Sequence, residues 1–498
     1  MTIRLSKSKL IAFRQCPKRL WLEVHRPDLR TDDSTATRRF AAGHHVGELA
    51  RTQYADGILI APDNNLSKAL KETQYWLAQP QRRPLFEATF EAVGILIRAD
   101  LLVPMKAGWH MAEVKSSTQV KPYHLEDMAI QSWVTKQAGL ALAKTSVQVI
   151  DRQWVYPGSN HYTGLLRNEA VDEQVTAIAP LVPQWLQSAK QIAGGLEPEV
   201  KMGKQCNDPF ACGFQAYCES LSVKTEFPTS WLPNLHYKKR EKFEASGFLD
   251  MSEVPIEELT PKQQRVRNAT LNSEQFFEPL SPSEEKKFAG KRYYLDFETI
   301  NFAVPIWEGT RPYQQIPFQW SCHIEDPEGT LSQKAFLDLS DSDPSRRFAE
   351  SLLSVLGKRG PIIVYNQSFE KRIIQELAER YADLAPSLEA LLDRVVDLLP
   401  VANEHYYHPS MRGSWSIKAV LPAIAPELDY ANLEDVTDGG GAQEAYLEAI
   451  DSNCAAERQR KLSQSLEAYC GRDTLAMVKV FHFLLAPASS ISTTARAP

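Results

Sequence analysis

The sequence predicts two α/β domains joined by a small helical connector, and three observations support this prediction. The chain has 498 residues, which is too long for a single hydrophobic core. Two long stretches alternate β-rich segments with helical ones. Between them the sequence becomes helical and charged and is interrupted by prolines. We therefore expect domains at residues 1–222 and 290–486, a connector at 223–289 and a disordered tail at 487–498.

The first predicted domain has its strands in the middle of its length. Residues 84–103 alternate between apolar and polar side chains and are rich in β-formers, which is typical of two successive strands. The other expected elements are a helix at 1–30 broken at Cys16-Pro17, a helix at 36–53, a strand at 109–116, a helix at 124–142 and a strand at 146–155.

The second predicted domain begins with the strand KRYYLDFETI, which starts at Lys291. A return strand is expected near residues 318–323 and a third strand near 331–336. Helices and strands then alternate as far as Leu485, which again indicates an α/β domain.

The composition excludes secreted and membrane-spanning classes of protein. The chain is 43% hydrophobic and 24% charged, and no apolar run approaches the length that a bilayer requires. The first ten residues lack the apolar stretch of a secretory signal, so we expect a cytoplasmic protein with no membrane partner. A net charge of −6 still allows a nucleic-acid partner, because carboxylates that bind metal can coexist with a basic strip.

Regularly spaced cysteines indicate a metal site. A cytoplasmic chain does not use its seven cysteines as a disulfide framework. Cys206, Cys212 and Cys218 lie six residues apart, and Cys16 is the best candidate for a fourth ligand because the other three cysteines lie in the second domain. Four thiolates hold either a [4Fe–4S] cluster or zinc, and a spacing wider than C-x-x-C favours iron–sulfur. Four unrelated buried cysteines are the alternative.

Two acids and a lysine occupy adjacent strands of the first predicted domain. Glu113 and Lys115 are two residues apart and project from the same face of their strand. Asp100 lies on the preceding strand, where a hairpin would bring it alongside. An acid pair of this kind binds a divalent metal, and a nearby lysine positions the attacking water. An exposed hairpin with unrelated charges is the alternative.

These features together resemble the RecB-like PD-(D/E)XK nucleases that carry an iron–sulfur cluster, a group that includes the CRISPR-adaptation nucleases and the AddB-type helicase–nucleases. The likeness covers roughly residues 1–220 and rests on SKSKLIAFRQCPKRLWL at 6–22, on the D…EVK pattern and on the three late cysteines. It implies a restriction-endonuclease-like fold, with catalytic and cluster-binding residues at Asp100, Glu113, Lys115, Cys16, Cys206, Cys212 and Cys218, of which Asp100 and Glu113 bind the metal.

This family usually adds a metal ligand from an early helix and a glutamine after the EVK strand. The segment FAAGHHVGELA offers His44, His45 and Glu48, and Glu48 shares a helical face with either histidine. The resemblance therefore implies Glu48 as a third metal ligand, with the two histidines as alternatives. Gln131 is the candidate for the glutamine.

The second predicted domain contains four acids and a tyrosine whose order along the chain indicates a metal site. Asp296 and Glu298 share one face of an otherwise apolar strand, which is costly unless they coordinate a ligand. Glu370 begins a helix after a buried strand, and Tyr469 and Asp473 lie four apart on a later helix. Four carboxylates can hold two Mg²⁺ or Mn²⁺ ions, with Tyr469 orienting the water. Surface charges without a ligand are the alternative, and we expect Asp397, at a strand end, to be structural.

The D-x-E strand, the N-x-x-F-acid helix and the terminal Y-x-x-x-D resemble the DnaQ-like DEDD exonucleases of the tyrosine subtype over roughly residues 290–485. The resemblance implies an RNase H-like fold and 3′–5′ exonuclease activity. It also implies that Asp296, Glu298, Glu370 and Asp473 bind the metal ions. Glu370 stands where this family usually has aspartate.

The combination of both domains resembles a bacterial family that joins them through a helical connector. It implies a metal-dependent nuclease with a [4Fe–4S] cluster and Mg²⁺ or Mn²⁺, which degrades single-stranded DNA or duplex ends in DNA repair or in defence against foreign DNA. RNA is an alternative substrate. A second hypothesis is that the first domain only binds nucleic acid and delivers it to a single active exonuclease domain. The sequence does not identify a protein partner.

Overall fold

The computed structural model describes residues 4–31, 34–60, 65–430, 433 and 435–486, with the backbone alone at 34–39. The chain divides into two compact units. Unit 1 comprises Met1–Ser222 and Asn301–Gln314, and unit 2 comprises Val223–Ile300 and Gln315–Pro498. The residues predicted as a connector therefore group with unit 2. The predicted tail at 487–498 lies outside the described residues, so its disorder stays a prediction.

Unit 1 is a mixed α/β unit, as predicted. Its strands and helices, in chain order, are β1 (Leu5–Ser6), α1 (Lys7–Gln15), α2 (Pro17–His25), α3 (Ser34–Thr52), β2 (Ile58–Leu59), α4 (Leu66–Leu77), β3 (Leu85–Ala92), β4 (Ile95–Met105), β5 (Gly108–Val114), α5 (Pro122–Gln137), β6 (Leu142–Ile150), β7 (Leu166–Ala170), α6 (Asp172–Ile178), α7 (Val182–Gly194) and α8 (Gln215–Ser220).

The strands described in unit 1 form one sheet in the order β2-β3-β4-β5-β6-β7, and β1 pairs with β4. Strands β3, β4 and β5 run antiparallel, and a two-residue turn at Val93 and Gly94, both with positive φ, closes the first hairpin. Strands β5 and β6 pair in parallel, which requires a crossover, and α5 supplies it. The sheet and its helices enclose one apolar core that includes Met111, Met128 and Val147.

Two predicted boundaries in unit 1 were wrong. The helix expected to reach residue 142 ends at Gln137, because Gly139 adopts a left-handed φ of +85° and stops it. The next strand consequently begins at Leu142 and ends at Ile150, earlier than the predicted 146–155.

Unit 2 is also a mixed α/β unit. Its elements are α9 (Tyr237–Ala245), α10 (Pro261–Asn272), β8 (Phe276–Phe277), α11 (Pro282–Glu285), β9 (Arg292–Ile300), β10 (Ile316–Glu325), β11 (Leu331–Leu337), α12 (Ser345–Leu356), β12 (Ile362–Val364), α13 (Ser368–Arg380), α14 (Ala385–Leu392), β13 (Val395–Asp397), α15 (Leu398–His405), β14 (Tyr406–Tyr407), α16 (Ile417–Ile424), α17 (Gly439–Ile450) and α18 (Ala456–Leu485). None of the described helices is both long and apolar enough to cross a bilayer.

The main sheet of unit 2 has the order β11-β10-β9-β12-β13. Strands β11, β10 and β9 are antiparallel, whereas β9, β12 and β13 are parallel, so β9 is the central strand. Leu295 and Phe297 of β9 enter the core on one face, where Phe297 packs edge-on against Phe348. The opposite face of β9 carries Asp296 and lies against α18, as the alternation of the strand predicts.

Asp397 holds the turn that connects β12 to α13. Its carboxylate accepts the backbone N–H groups of Asn366 at 2.9 Å and Gln367 at 3.1 Å. It also caps α15 by accepting the N–H of Leu399 at 3.0 Å. Asn366 has a φ of +78°, so these bonds fix a left-handed turn immediately before the helix that carries Glu370.

We expect Asp397→Ala to lower the free energy of unfolding of unit 2 by about 2–4 kcal/mol, because it removes a helix cap and two hydrogen bonds to a carboxylate. Urea denaturation of the full chain measures this loss. The matched control is Asp393→Ala, which alters an exposed aspartate just before the strand that ends in Asp397 and should change stability by less than about 0.5 kcal/mol. Equal effects of the two substitutions would contradict the structural role of Asp397.

Candidate active site

The acids of β9 and α18 meet at one point in unit 2. Oxygen atoms of Asp296, Glu298 and Asp473 all lie within 4.8 Å of one another. Glu298 and Asp473 are buried, with 9% and 7% of their surface exposed. The strand supplies two acids two residues apart, and the long helix packed on the sheet brings the third. This grouping agrees with the arrangement expected from the sequence.

Glu370 is the fourth acid of the site. It lies in the first turn of α13, is 3% exposed, and its Oε2 atom has no hydrogen-bond partner among the described residues. Its charge is among those that raise the pKa of Asp296. Glu370 also lines the same cavity of about 400 Å³ as the other three acids. A buried carboxylate oxygen without a partner is costly, and a cation in this cavity would satisfy it.

Two tyrosines and a lysine surround Asp473. The hydroxyl of Tyr430 donates to Asp473 Oδ1 at 2.5 Å, and Tyr469 lies one helical turn before Asp473 with its ring centroid 6.3 Å from that of Tyr430. The ammonium group of Lys418 lies 5.0 Å from the ring centroid of Tyr469 and 5.3 Å from that of Tyr430. These neighbouring side chains therefore hold the carboxylate of Asp473 in place.

Burial and mutual repulsion keep protons on these acids. Burial is the main cause that raises the pKa of Glu298 to about 8, and the charge of Asp473 adds to it. Burial likewise raises the pKa of Glu370 to about 8. It raises the pKa of Asp473 to about 6, against the opposing effects of Tyr430 and Lys418. The pKa of Asp296 is well above its ordinary value because of burial and then Asp473.

The residues of this cavity fit divalent metal ions. Hard divalent cations prefer carboxylate oxygens, and four carboxylates line this cavity, where Glu370 Oε2 has no hydrogen-bond partner in the described part of the chain. A bound cation also favours the ionised form of acids that otherwise repel one another. Asp296, Glu298, Glu370 and Asp473 would hold the ions.

The predicted residues of unit 1 form a different kind of site. Glu113 is 2% exposed, and its Oε1 atom accepts from Lys115 at 2.6 Å and from Lys7 at 2.9 Å. Its Oε2 atom accepts from Gln131 at 2.6 Å. Asp127 bonds to the same two lysines, at 2.7 Å to Lys115 and 3.0 Å to Lys7. The two acids and two lysines thus form a closed set of ion pairs.

Asp100 lies beside this set, as the hairpin predicts. Its Oδ2 atom accepts the N–H of Val114 at 2.7 Å. Burial, followed by the charge of Glu113, raises the pKa of Asp100 to about 8. Glu87 faces Asp100 across the β3–β4 ladder, between the pairs Phe86–Leu101 and Ala88–Ala99, and burial raises its pKa as well.

The predicted ligands from α3 do not gather at this site. His44, His45 and Glu48 are all exposed. Across the part of the chain that the structure describes, the trio in unit 2 is the only set of three acid, histidine or cysteine ligand atoms within 4.8 Å. Glu48, Asp100 and Glu113 therefore do not form a compact trio.

The four predicted cluster ligands all lie in unit 1, but no three of their sulfur atoms lie within 4.8 Å of one another. Cys16 separates α1 from α2, and the other three lie on the segment that ends in α8. Burial raises the pKa of the Cys218 thiol, Lys18 lowers it, and the charges of Cys212, Cys206 and Cys16 raise it further.

Hydrogen bonds join these two segments of chain. The side-chain amide of Gln15 donates to the carbonyl groups of Gln205 at 2.7 Å and Phe210 at 2.8 Å. The N–H of Cys212 donates to the carbonyl of Cys206 at 2.8 Å. The pairing of an early cysteine with three late ones therefore has a structural basis.

Sequence reasoning missed several residues that shape both sites. Lys7 and Asp127 complete the ion pairs of unit 1, and Tyr430 and Lys418 complete the surroundings of Asp473 in unit 2. Asp127 precedes Gln131 by four residues on one helical face, which is a signal that the sequence offered. Lys7 lies in the segment 6–22 on which the resemblance rests, but nothing in that segment links it to Glu113 or Asp127, and Tyr430 and Lys418 come from segments with no pattern of their own.

We expect the stability of unit 2 to depend on pH in a way that a divalent ion reverses. Without metal, Glu298 and Glu370 keep their protons up to about pH 8, whereas glutamates in the unfolded chain ionise at about pH 4. The folded state therefore holds more protons in this range, so stability is lost as the pH rises from 5 to 8. With a chelator, the melting temperature should fall over this interval, and Mn²⁺ should restore about 5 °C or more at pH 8 but little at pH 5.

The matched variant is Asp296→Asn combined with Glu298→Gln, which keeps the shape of both side chains and removes their charges. Its melting temperature should respond much less to pH and to Mn²⁺. A response to Mn²⁺ as large as that of the unmodified chain would show that these acids do not bind the ion.

Comparison with known proteins identifies relatives of part of this chain. Residues 293–416 match the family model described as "Domain of unknown function (DUF2779)", a range that contains Asp296, Glu298 and Glu370. The chain is 29% identical over 220 residues to "Uncharacterized protein MG366 homolog" of Mycoplasma pneumoniae, which covers 40% of this chain and 33% of the relative. It is 26% identical over 221 residues to "Uncharacterized protein MG366" of Mycoplasma genitalium, which covers 40% and 32%. The chain spans about a third of the length of these curated relatives.

Proposed function

We propose that unit 2 is a metal-dependent nuclease that removes nucleotides from the 3′ end of a nucleic acid strand. The observation that carries this proposal is the meeting of Asp296, Glu298 and Asp473 within 4.8 Å, beside the unpartnered oxygen of Glu370. Four carboxylates on one cavity wall are the ligand set for two divalent ions, and paired ions serve phosphodiester hydrolysis.

The fold of unit 2 supports an assignment to the DnaQ-like exonucleases. Its main sheet has three antiparallel strands followed by two parallel ones, with the first strand of the sheet at the centre. This is the arrangement expected for an RNase H-like domain. The acids occupy the positions that the DEDD pattern implies, with Asp296 and Glu298 on the central strand and Tyr469 and Asp473 on the last helix.

The surrounding residues define what the chain itself would contribute. Divalent ions bound here supply Lewis acidity towards the phosphodiester group. Tyr469 lines the cavity close to the acids, so that its hydroxyl can orient a water molecule, and Tyr430 holds Asp473 in place. A volume of about 400 Å³ is within the range of cavities that bind small molecules and gives room for one terminal nucleotide.

The order of helices and strands in unit 1 supports its resemblance to the PD-(D/E)XK nucleases. Helix α3, strands β3, β4 and β5, helix α5 and strand β6 follow one another around one sheet, with Asp100 on β4 and Glu113 at the end of β5. Extending the nuclease proposal to Asp100, Glu113 and Lys115 has a weaker basis, because the oxygens of Glu113 are already bonded to lysine and glutamine. We therefore propose one hydrolytic site, in unit 2, and a nucleic-acid-binding role for unit 1.

The four thiols of unit 1 support a [4Fe–4S] cluster as its structural cofactor. A tetrahedral zinc site with bonds of about 2.3 Å needs sulfur atoms about 3.8 Å apart. No three of the thiols, all of which the structure describes, lie within 4.8 Å of one another. An arrangement of neighbouring but more widely spaced cysteines fits a larger cluster better than a single ion.

We expect Asp296→Asn to lower exonuclease activity by about 10³-fold or more, because it removes a ligand charge from the central strand. Tyr469→Phe should slow the reaction by about tenfold to a hundredfold, since only the hydroxyl is lost. Glu370→Asp should retain activity and Glu370→Gln should not. The assay follows the product ladder from a 5′-labelled single strand of DNA or RNA with Mn²⁺.

Two controls make this assay decisive. Glu379→Gln changes an exposed glutamate on the same helix as Glu370 and should leave the rate unchanged. A strand with a blocked 3′ end should resist degradation. Equal degradation of blocked and free strands, or an active Asp296→Asn variant, would contradict the proposed exonuclease.

We expect the chain to be brown when it is purified without oxygen and to contain about four irons. Cys16→Ala should lower the iron content and destabilise unit 1, because a cluster that closes a long loop contributes to folding. Cys454→Ala, which changes a cysteine of unit 2, should have no such effect. A colourless protein with one zinc per chain would contradict the cluster.

A further inference from the structure

Lys7 stands out as a charged residue that the proposed function does not use. It is the first residue of α1 and follows β1, which pairs in parallel with the strand that carries Asp100, with Leu5 opposite Ile95. This pairing fixes Leu5 and Ser6, and with them Lys7, beside the acids of unit 1. Only 18% of the Lys7 side chain is exposed.

The ammonium group of Lys7 bonds to both acids of the ion-pair set. It lies 2.9 Å from Glu113 Oε1 and 3.0 Å from Asp127 Oδ1. Lys115 bonds to that same oxygen of Glu113 and to the other oxygen of Asp127. Gln131 donates to Glu113 Oε2 at 2.6 Å and to Asp127 Oδ1 at 3.2 Å. Every carboxylate oxygen of this pair therefore has a partner.

The charges of this set balance without any metal. Two ammonium groups face two carboxylates, and all four side chains are at least three-quarters buried. Buried ion pairs are retained when each charge is paired and hydrogen-bonded, as here. A divalent ion at Glu113 would have to displace an ammonium group and leave it without its partner, which is strongly unfavourable in a buried site.

The site in unit 2 shows the opposite arrangement. Its three closest acids have no lysine or arginine hydrogen-bonded to them in the part of the chain that the structure describes, and Glu370 has an oxygen without a partner. The same chain thus contains one acid site whose carboxylates are bonded to lysines and one whose closest acids have no such bond among the described residues. The residues of unit 1 do not fit the divalent ion that the resemblance implies.

We propose that Lys7 is the resident cation of the acid site in unit 1 and takes the position at Glu113 that a divalent ion would need. With Lys7 in place, this site binds no divalent ion. Removal of the Lys7 charge leaves the carboxylates of Glu113 and Asp127 with a single lysine, and this excess of negative charge, with Asp100 beside it as a further ligand, creates a binding site for one ion.

The test uses the full chain with the ion site of unit 2 removed by Asp296→Asn and Glu298→Gln. Mn²⁺ binding is followed by the loss of the electron paramagnetic resonance signal of free Mn²⁺. We expect this background to bind no Mn²⁺ at concentrations that saturate the unmodified chain. Addition of Lys7→Met should create binding of one Mn²⁺ per chain, which Asp100→Asn should then abolish.

Lys9→Met is the matched control, because it removes a lysine from the same helix at a position with no ion pair to these acids. It should bind no Mn²⁺. If Lys7→Met does not fold, Lys7→Gln keeps a hydrogen-bond donor without the charge and takes its place. Its melting temperature should be lowered without Mn²⁺ and raised by Mn²⁺, whereas loss of a purely structural contact would not respond to the ion.

Two results would overturn the proposal. One is binding of Mn²⁺ by the background that Asp100→Asn abolishes, because the ion would then coexist with Lys7. The other is a folded Lys7 variant that still binds no Mn²⁺, because Lys7 would then not be what excludes the ion. Neither result bears on the exonuclease of unit 2, since its site is absent from every chain in this experiment.

Discussion

Repulsion between buried carboxylates is the constraint on which the candidate site of unit 2 depends. Asp296, Glu298 and Asp473 are brought within 4.8 Å by the packing of a long helix on a central strand. At this depth water screens their charges poorly, so the ionised state is unfavourable in the bare protein. The apolar core on the far face of the strand, which includes Phe297 and Phe348, holds the backbone against this repulsion. A divalent ion converts the repulsion into attraction.

The two acid sites of this chain meet the same constraint in different ways. In unit 1, Lys7 and Lys115 neutralise Glu113 and Asp127 within the protein, so the set is complete as it folds. In unit 2, Glu370 Oε2 has no hydrogen-bond partner among the described residues, so a bound cation would have to neutralise the negative charge of the acids. The ammonium group of a buried lysine is already bonded to the acids of the protein. A divalent ion bound among acids that line a cavity can also bind an oxygen atom of a substrate. This difference is why we propose hydrolysis for the site of unit 2 and not for that of unit 1.

Local patterns predicted the elements and the acids better than the partners of those acids. Alternation along the strand placed Asp296 opposite its apolar neighbours, and four-residue spacing placed Tyr469 beside Asp473, because both patterns act within one element. Lys7 lies more than a hundred residues from Glu113, and its role follows from the pairing of a two-residue strand that carries no pattern of its own. Tyr430 likewise reaches Asp473 from a separate segment, 43 residues earlier in the chain. Such contacts depend on tertiary packing and leave no local trace in the sequence.

The central claim is that the four acids of unit 2 form a divalent metal site that drives hydrolysis. Anomalous diffraction at the manganese absorption edge, from crystals of the full chain grown with Mn²⁺, tests it most directly. The account predicts anomalous density among the carboxylates of Asp296, Glu298 and Asp473, with a ligand contact to Glu370. Crystals that contain ordered Mn²⁺ elsewhere but show no anomalous density among these four acids would contradict it.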